Sequence, residues 1–235
     1  MKITMIGNCT ALIETEGMQI VTDPYFSPTG SLLYERLTLP TKTREELSDA
    51  NLVLISHNHW DHTDSQYLRL LPNDTAVVVP KQAQQAIESR GAKNVAGLSA
   101  WETQHFGEIT VTAVPASHVV PTIGFVVQSE GKRVYFAGDT YYRPFMKEIG
   151  QRFQIDVALL PVSQDRFPLT MNPENALRAV RALSPHVVIP IHLSVALRLP
   201  FLRVNHTTDR FRRKVQEAGL ECSVVILQEG QSQEV

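Results

Sequence analysis

Cysteine is nearly absent. Two thiols, Cys9 and Cys222, in 235 residues do not make a disulfide framework. Both sit in apolar, strand-like stretches, which predicts buried thiols. Long apolar runs are missing too. No window holds 18 uninterrupted apolar residues, so no transmembrane helix is expected. Met1-Lys2-Ile3-Thr4 leads straight into a strand pattern, without the charged and then apolar regions of a secretory leader. A cytoplasmic location is therefore the expectation. Strong charge of either sign is lacking as well. The formal net charge is −2, and no basic run is longer than Arg212-Arg213-Lys214. Nucleic-acid proteins usually carry a basic footprint, so nucleic acid is not the expected partner. No repeat of 20–50 residues appears, which argues against solenoids and propellers. Apolar residues make up 43 % of the chain, enough for a real core, and the length fits one domain over residues 1–235.

Several stretches read as strands. Residues 12–15 and 18–21 flank Glu16-Gly17, and residues 124–128 and 133–137 flank Glu130-Gly131; both are two-residue hairpin signals. The apolar runs 52–56, 76–80, 157–161 and 187–191 read as buried strands, with helical patterns over 63–71, 81–90, 143–150 and 209–218 between or after them. The clearest helix opens at Asn172-Pro173-Glu174, with Asn172 as cap, Pro173 in the first turn and Glu174 at the positive end of the dipole. Residues 222–227 are expected to close the chain as a strand, with a frayed tail from Glu229. Buried strand runs with interspersed helices predict an α/β fold, with two sheets facing each other and helices outside both. Residues 24–51 form a long connection with few periodic apolar positions, a kind of loop that is often functional.

The stretch that carries chemistry is His57-Asn58-His59-Trp60-Asp61-His62. It places four metal-ligand candidates within six residues, at the end of a strand. His57 and His59 are two apart and point the same way on an extended segment. Asp61 and His62 are adjacent and diverge, so the spacing suggests two neighbouring ions. Imidazole with carboxylate suits zinc, manganese or iron. His118, Asp139 and His192 each follow or end another strand pattern. Strand ends gather at one edge in layered α/β folds, and sites form there. Asp23, ahead of Pro24, reads equally as a turn former and as a residue that orients a metal-binding His.

The longer stretch Ser56–Asp64 resembles the metal-binding signature of the metallo-β-lactamase-fold hydrolases. It looks most like the branch containing N-acyl-phosphatidylethanolamine phospholipase D and ascorbate-6-phosphate lactonase. Thr170-Met171-Asn172-Pro173-Glu174 is similar to a Met-Gly-Pro-Glu element of that branch. The resemblance implies an αββα four-layer sandwich of two mixed sheets. It implies that His57, His59 and His118 hold one divalent ion, that Asp61, His62 and His192 hold the other, and that Asp139 bridges them. It leaves a homo-oligomer open. Two positions depart from the branch. Asn8 stands where a His is common, and Leu193-Ser194 follow the last ligand where an aromatic and a glycine are common. Both change the pocket wall, so the substrate of a named relative does not carry over.

The implied chemistry is hydrolysis. Two divalent ions acidify a water held between them and polarise the substrate oxygen. Asp61 is the first choice of base, and His206 is the candidate proton donor to the leaving group. The leading substrate class is a phosphorylated or lactone-type small molecule. Alternatives are a phosphodiesterase acting on a phospholipid or nucleotide, and a metal-stabilised binding protein without turnover. A diiron oxidoreductase of the same fold is disfavoured, because that branch has an acidic residue where His59 stands and adds a flavin domain.

Overall fold

The computed structural model describes residues 1–166 and 169–235. Along the first half run β1 (Lys2–Gly7), β2 (Thr10–Thr15), β3 (Met18–Thr22), β4 (Tyr34–Arg36), β5 (Leu52–Leu54), α1 (Ser65–Leu70), β6 (Ala76–Pro80), α2 (Gln84–Ser89) and β7 (Asn94–Leu98). The second half runs β8 (Thr103–Phe106), β9 (Ile109–Pro115), β10 (Ile123–Ser129), β11 (Lys132–Phe136), α3 (Phe145–Phe153), β12 (Val157–Pro161), α4 (Pro173–Leu183), β13 (Val187–Ile191), β14 (Val195–Leu197), α5 (Thr207–Glu217), β15 (Ser223–Val224) and β16 (Ser232–Glu234).

The two halves repeat one plan. In the first sheet, β1, β2 and β3 pair antiparallel, and β3, β5, β6 and β7 continue parallel. In the second, β8, β9, β10 and β11 pair antiparallel, and β12, β13 and β15 continue parallel. Hairpins suffice for the antiparallel parts, and parallel neighbours need crossovers, which supply the helices.

The apolar pattern explains the layers. Alternate side chains of each strand face opposite ways. Ile3, Ile13, Leu52 and Leu54 meet Val111, Phe125, Phe136 and Leu159 between the sheets. The other strand face is also buried. Val126, Tyr135 and Ala158 pack under Met146, Ile149, Ala176, Val180, Phe211 and Val215 of α3, α4 and α5. Val21, Val53 and Val77 pack under Tyr67, Leu68 and Ile87 of α1 and α2. Strands buried on both faces read as continuous apolar runs, and each buried Ile, Leu or Phe contributes roughly 1.5–3 kcal/mol. The result is the αββα sandwich of two mixed sheets. No helix among the described residues is long and apolar enough to cross a membrane.

Three expectations differ at the edges. The tail does not fray: β16 pairs antiparallel with β1, and Thr4 Oγ1 and Ser232 Oγ lie 2.9 Å apart. The open edge of β1 supplies the ladder partners that a polar tail lacks on its own. Only Ser223 and Val224 of the expected last strand pair with β13, and Cys222 is half-buried while Cys9 is fully buried. The long 24–51 connection holds a strand, β4, which pairs antiparallel with β14 just after His192. That ribbon joins the two segments whose roles the sequence left most open.

Candidate metal centre

The site stands on the ends of β3, β5, β11 and β13. Gly138 follows β11 with φ +55°, and a Cβ there would sit 2.3 Å from Ser56 Cβ. Glycine is what lets the Asp139 loop close against the His57 loop. His192 holds φ 65° and Asn8 φ 55°, left-handed values that cost a non-glycine residue energy and collect at functional sites. The two residues brace each other: His192 N donates to Asn8 O at 3.1 Å, and Asn8 N donates to Ser194 Oγ at 2.9 Å.

Asp23 organises the floor. Fully buried, it accepts from Ser56 N and Ser56 Oγ, both at 2.6 Å, and from His62 Nδ1 at 2.7 Å. Binding Nδ1 leaves His62 Nε2 aimed at the cluster, where it is buried and without a hydrogen-bond partner among the described residues. Such a partner on the far ring nitrogen fixes the tautomer of a ligating histidine. Of the two readings left open for Asp23, the orienting one matches this geometry. Ser56 Oγ donates to Asp23 and so accepts from His57 Nδ1 at 2.9 Å. His118 Nδ1 donates to Leu169 O at 3.1 Å.

The inward nitrogens then converge. His57 Nε2 lies 2.9 Å from His59 Nδ1, which lies 3.4 Å from His118 Nε2. Beside them, Asp61 Oδ2 is 3.6 Å from His62 Nε2 and 3.5 Å from His192 Nε2. Asp139 Oδ2 stands between the groups, 3.4 Å from both His62 Nε2 and His192 Nε2 and 3.9 Å from His118 Nε2. All seven residues singled out as ligands therefore meet at one place. Within each three-residue group, His57-His59-His118 and Asp61-His62-His192, the donor atoms lie within 4.8 Å of one another. Buried Asp139 Oδ1 also lacks a partner among the described residues. Orphaned buried donors of nitrogen and oxygen type fit divalent ions.

Electrostatics divides the cluster. Burial pushes the His57 and His59 imidazoles down and takes His118 to about 4. The neutral ring is the form that ligates. Burial opposes charge on His62 and His192 too, but the Asp139 and Asp61 carboxylates outweigh it. They hold His62 well above its ordinary value and His192 at about 10. In return, although burial acts to raise both carboxyls, His192 and His62 hold Asp139 well below the usual range, and His62 and His192 hold Asp61 below it.

The family follows from comparison with known proteins. The model of the β-lactamase superfamily domain matches residues 18–193. A UPF0173 metal-dependent hydrolase of Methanopyrus kandleri is 32 % identical over 247 residues, covering 100 % of each chain. This chain belongs to the UPF0173 metal-dependent hydrolases of the metallo-β-lactamase superfamily. The structure of Igni18, a metallo hydrolase of Ignicoccus hospitalis, superposes on this hydrolase with TM-score 0.81 and 26 % identity, covering 100 % of this chain and 98 % of that one. An isothiocyanate hydrolase from Delia radicum gut bacteria shares the fold at TM-score 0.83 and 21 % identity, covering 100 % and 99 %.

Above the floor of the hydrolase lies a cavity of about 190 Å³. His59, Asp61, His118, Asp139 and His192 form its base, and Tyr34, Trp60, Asp165, Thr170 and Val195 are among its walls. Tyr34 comes from β4 and Val195 from β14, so the ribbon that departs from the expected loop builds one wall. Asp165 and Thr170 come from the β12–α4 connection; Thr170 opens the element that resembles the branch, and Asp165 was not singled out in the sequence. An acidic residue beside aromatics and prolines carries no motif. Burial raises the Tyr34 phenol, and the Asp165, Asp61 and Asp139 charges add to the rise. Burial also raises the Asp165 carboxyl, against the Leu197 amide, His192 and Arg203.

His206 is not brought to the cavity. Its side chain is 83 % exposed ahead of α5, 3.8 Å from the Asp209 carboxylate one helical turn on. Tyr141, Tyr142 and Arg198 are not among the cavity walls either. Arg198 Nε donates to Ser31 O at 2.9 Å. His105 is exposed on β8, with its Nδ1 3.1 Å from Thr110 Oγ1. The stretches Leu32-Leu33 and Phe201-Leu202 are not core: Leu32, Leu33 and Phe201 are exposed and Leu202 is half-buried.

Proposed function

We propose that this protein is a dinuclear-metal-dependent hydrolase of a small molecule with a lactone-type or phosphorylated reacting centre. The observation that carries the reading is the convergence of seven ligand-type side chains at one place, five of them on the floor of one cavity. His57, His59 and His118 would hold one divalent ion, Asp61, His62 and His192 the second, and Asp139 would face both. Zinc and manganese suit this set of imidazoles and carboxylates, and iron is also compatible. Such ions, when bound, supply Lewis acidity and the acidification of a water.

The protein's own residues do the rest. Asp61 would accept the proton of the attacking water; in support, one carboxylate oxygen faces His62 and His192 while the group still lines the cavity. Asn8 Nδ2 lies 3.5 Å from Asp61 Oδ2 and limits how the carboxylate swings. Asp23 keeps His62 in its ligating tautomer, and Leu169 O does the same for His118. Trp60, edge-on to Tyr25 at 5.4 Å between ring centroids, closes one side of the cavity with apolar surface.

The reading is tested with protein reconstituted with manganese or zinc, offered a chromogenic phosphodiester and a simple lactone side by side. Turnover of either, lost on chelation and restored by the metal, supports a hydrolase and says which reacting centre it takes. Tight metal binding with no turnover across a metabolite screen would instead favour a binding protein.

A further inference from the structure

Beyond the metal cluster, one group lining the cavity is an acid. Asp165 lies between β12 and α4, with its backbone N donating to Ser163 Oγ at 3.1 Å. One carboxylate oxygen accepts from Leu197 N at 3.3 Å. Among the described residues the carboxylate has no ion-pair partner. No lysine or arginine is among the described cavity walls. Three guanidiniums of the surrounding segments have donors engaged elsewhere. Arg36 donates to Tyr25 O, Ser27 O and Thr38 O. Arg203 donates to Glu35 Oε1 at 2.6 Å and to Leu197 O. Arg198 is turned to Ser31 O.

The rest of the wall is apolar or neutral. Tyr34, Trp60, Leu169 and Val195 supply hydrophobic surface. Thr170 Oγ1 is buried without a partner among the described residues. A cavity of roughly 150 Å³ holds a benzene ring, so about 190 Å³, shared with the reacting centre, leaves room only for a compact group.

We infer that Asp165 reads the part of the substrate beyond the scissile bond, and that this part is a compact apolar group bearing a hydroxyl or ammonium donor and no second anion. The inference rests on the hydrolase reading above and narrows its substrate class. A distal phosphate or carboxylate would face Asp165 across a half-buried wall with no lysine or arginine among its described lining residues, and like charges so placed repel. A hydroxyl or ammonium would fill the free acceptor of Asp165, and charge-assisted hydrogen bonds are the stronger kind. The metal cluster can still meet one negative charge at the reacting centre itself.

The test uses hydroxamates, which chelate divalent ions whatever the natural substrate is. β-Alanine hydroxamate, butyrohydroxamate and succinate monohydroxamate have similar size and end in an ammonium, a methyl and a carboxylate. Their affinities for the zinc-reconstituted protein are measured by calorimetry. The expected order is ammonium, methyl, carboxylate, with on the order of tenfold between the ends. Asp165→Asn should shrink that spread to within about threefold, and raised salt should shrink it in the wild type. A carboxylate probe that binds as tightly as the ammonium probe overturns the inference. So does a folded Asp165→Asn protein that keeps the full spread. The wild-type order decides the charge class even if the variant fails to fold. A protein that binds no zinc sinks the hydrolase reading and this inference together, whereas zinc-dependent binding in the wrong order sinks only this one.

Discussion

The floor and the wall of the cavity are built by opposite rules. On the floor, side chains are held from behind: Asp23 holds His62, Ser56 holds His57, and Leu169 O holds His118. On the wall, Tyr34, Asp165, Thr170 and Val195 come from a two-stranded ribbon and a connecting loop. Just ahead of β4, Leu32 stands 90 % exposed. The floor sits on the ends of buried strands, where Ser56 and Asp23 each hold more than one neighbour. The wall can change without disturbing the sheets. The contrast explains how one fold keeps its metal chemistry while its substrates vary.

The sharpest break is Asp139→Ala. It removes the carboxylate that faces both ligand groups, and the account expects loss of bound metal and of hydrolysis, read by metal analysis and turnover. Asp61→Asn comes next. A folded protein with hydrolysis down about 10²–10⁴-fold is expected, the range for a lost general base; full activity would disprove its role as base and ligand. Asp23→Asn keeps every ligand but loosens His62, and should weaken metal affinity about 10–100-fold, measurable by competition with a chelator.

Asp64 belongs to the same sequence stretch yet separates stability from chemistry. It caps α1 by accepting from Gln66 N and Tyr67 N, and pairs with Arg44 at 2.9 Å. Asp64→Ala should cost roughly 2–4 kcal/mol of stability in denaturant unfolding, with the metal ligands intact. At the small end, Leu32→Ser on the exposed segment ahead of β4 should change stability by less than about 0.5 kcal/mol. His206→Ala, away from the cavity, should leave turnover of a substrate with a poor leaving group unchanged; a slower rate would restore it as the proton donor.

Much of the floor was legible in the sequence for a physical reason. His57 to His62 are ligand types crowded at a strand end, and His118, Asp139 and His192 occupy the same position on other strands. Buried strands announce themselves as apolar runs, so the order of layers could be read as well. The wall could not. The β4–β14 ribbon pairs residues some 160 positions apart, and β4 has half-buried, mixed side chains. Strand β16 is three polar residues that are ordered only by the edge of β1. Asp165 becomes informative only once Tyr34 and Trp60 are known to face it across a cavity. Long-range pairing and shared space leave no local pattern in the chain.

Metal content and activity are best followed together in one titration. The protein is stripped by a chelator, reloaded stepwise with zinc or manganese, and followed by elemental analysis and by turnover of the substrate found in the first screen. The account predicts two divalent ions per chain at full activity, and in Asp139→Ala neither the metal nor the activity. Turnover that survives complete metal removal, or full activity in Asp139→Ala, would contradict it.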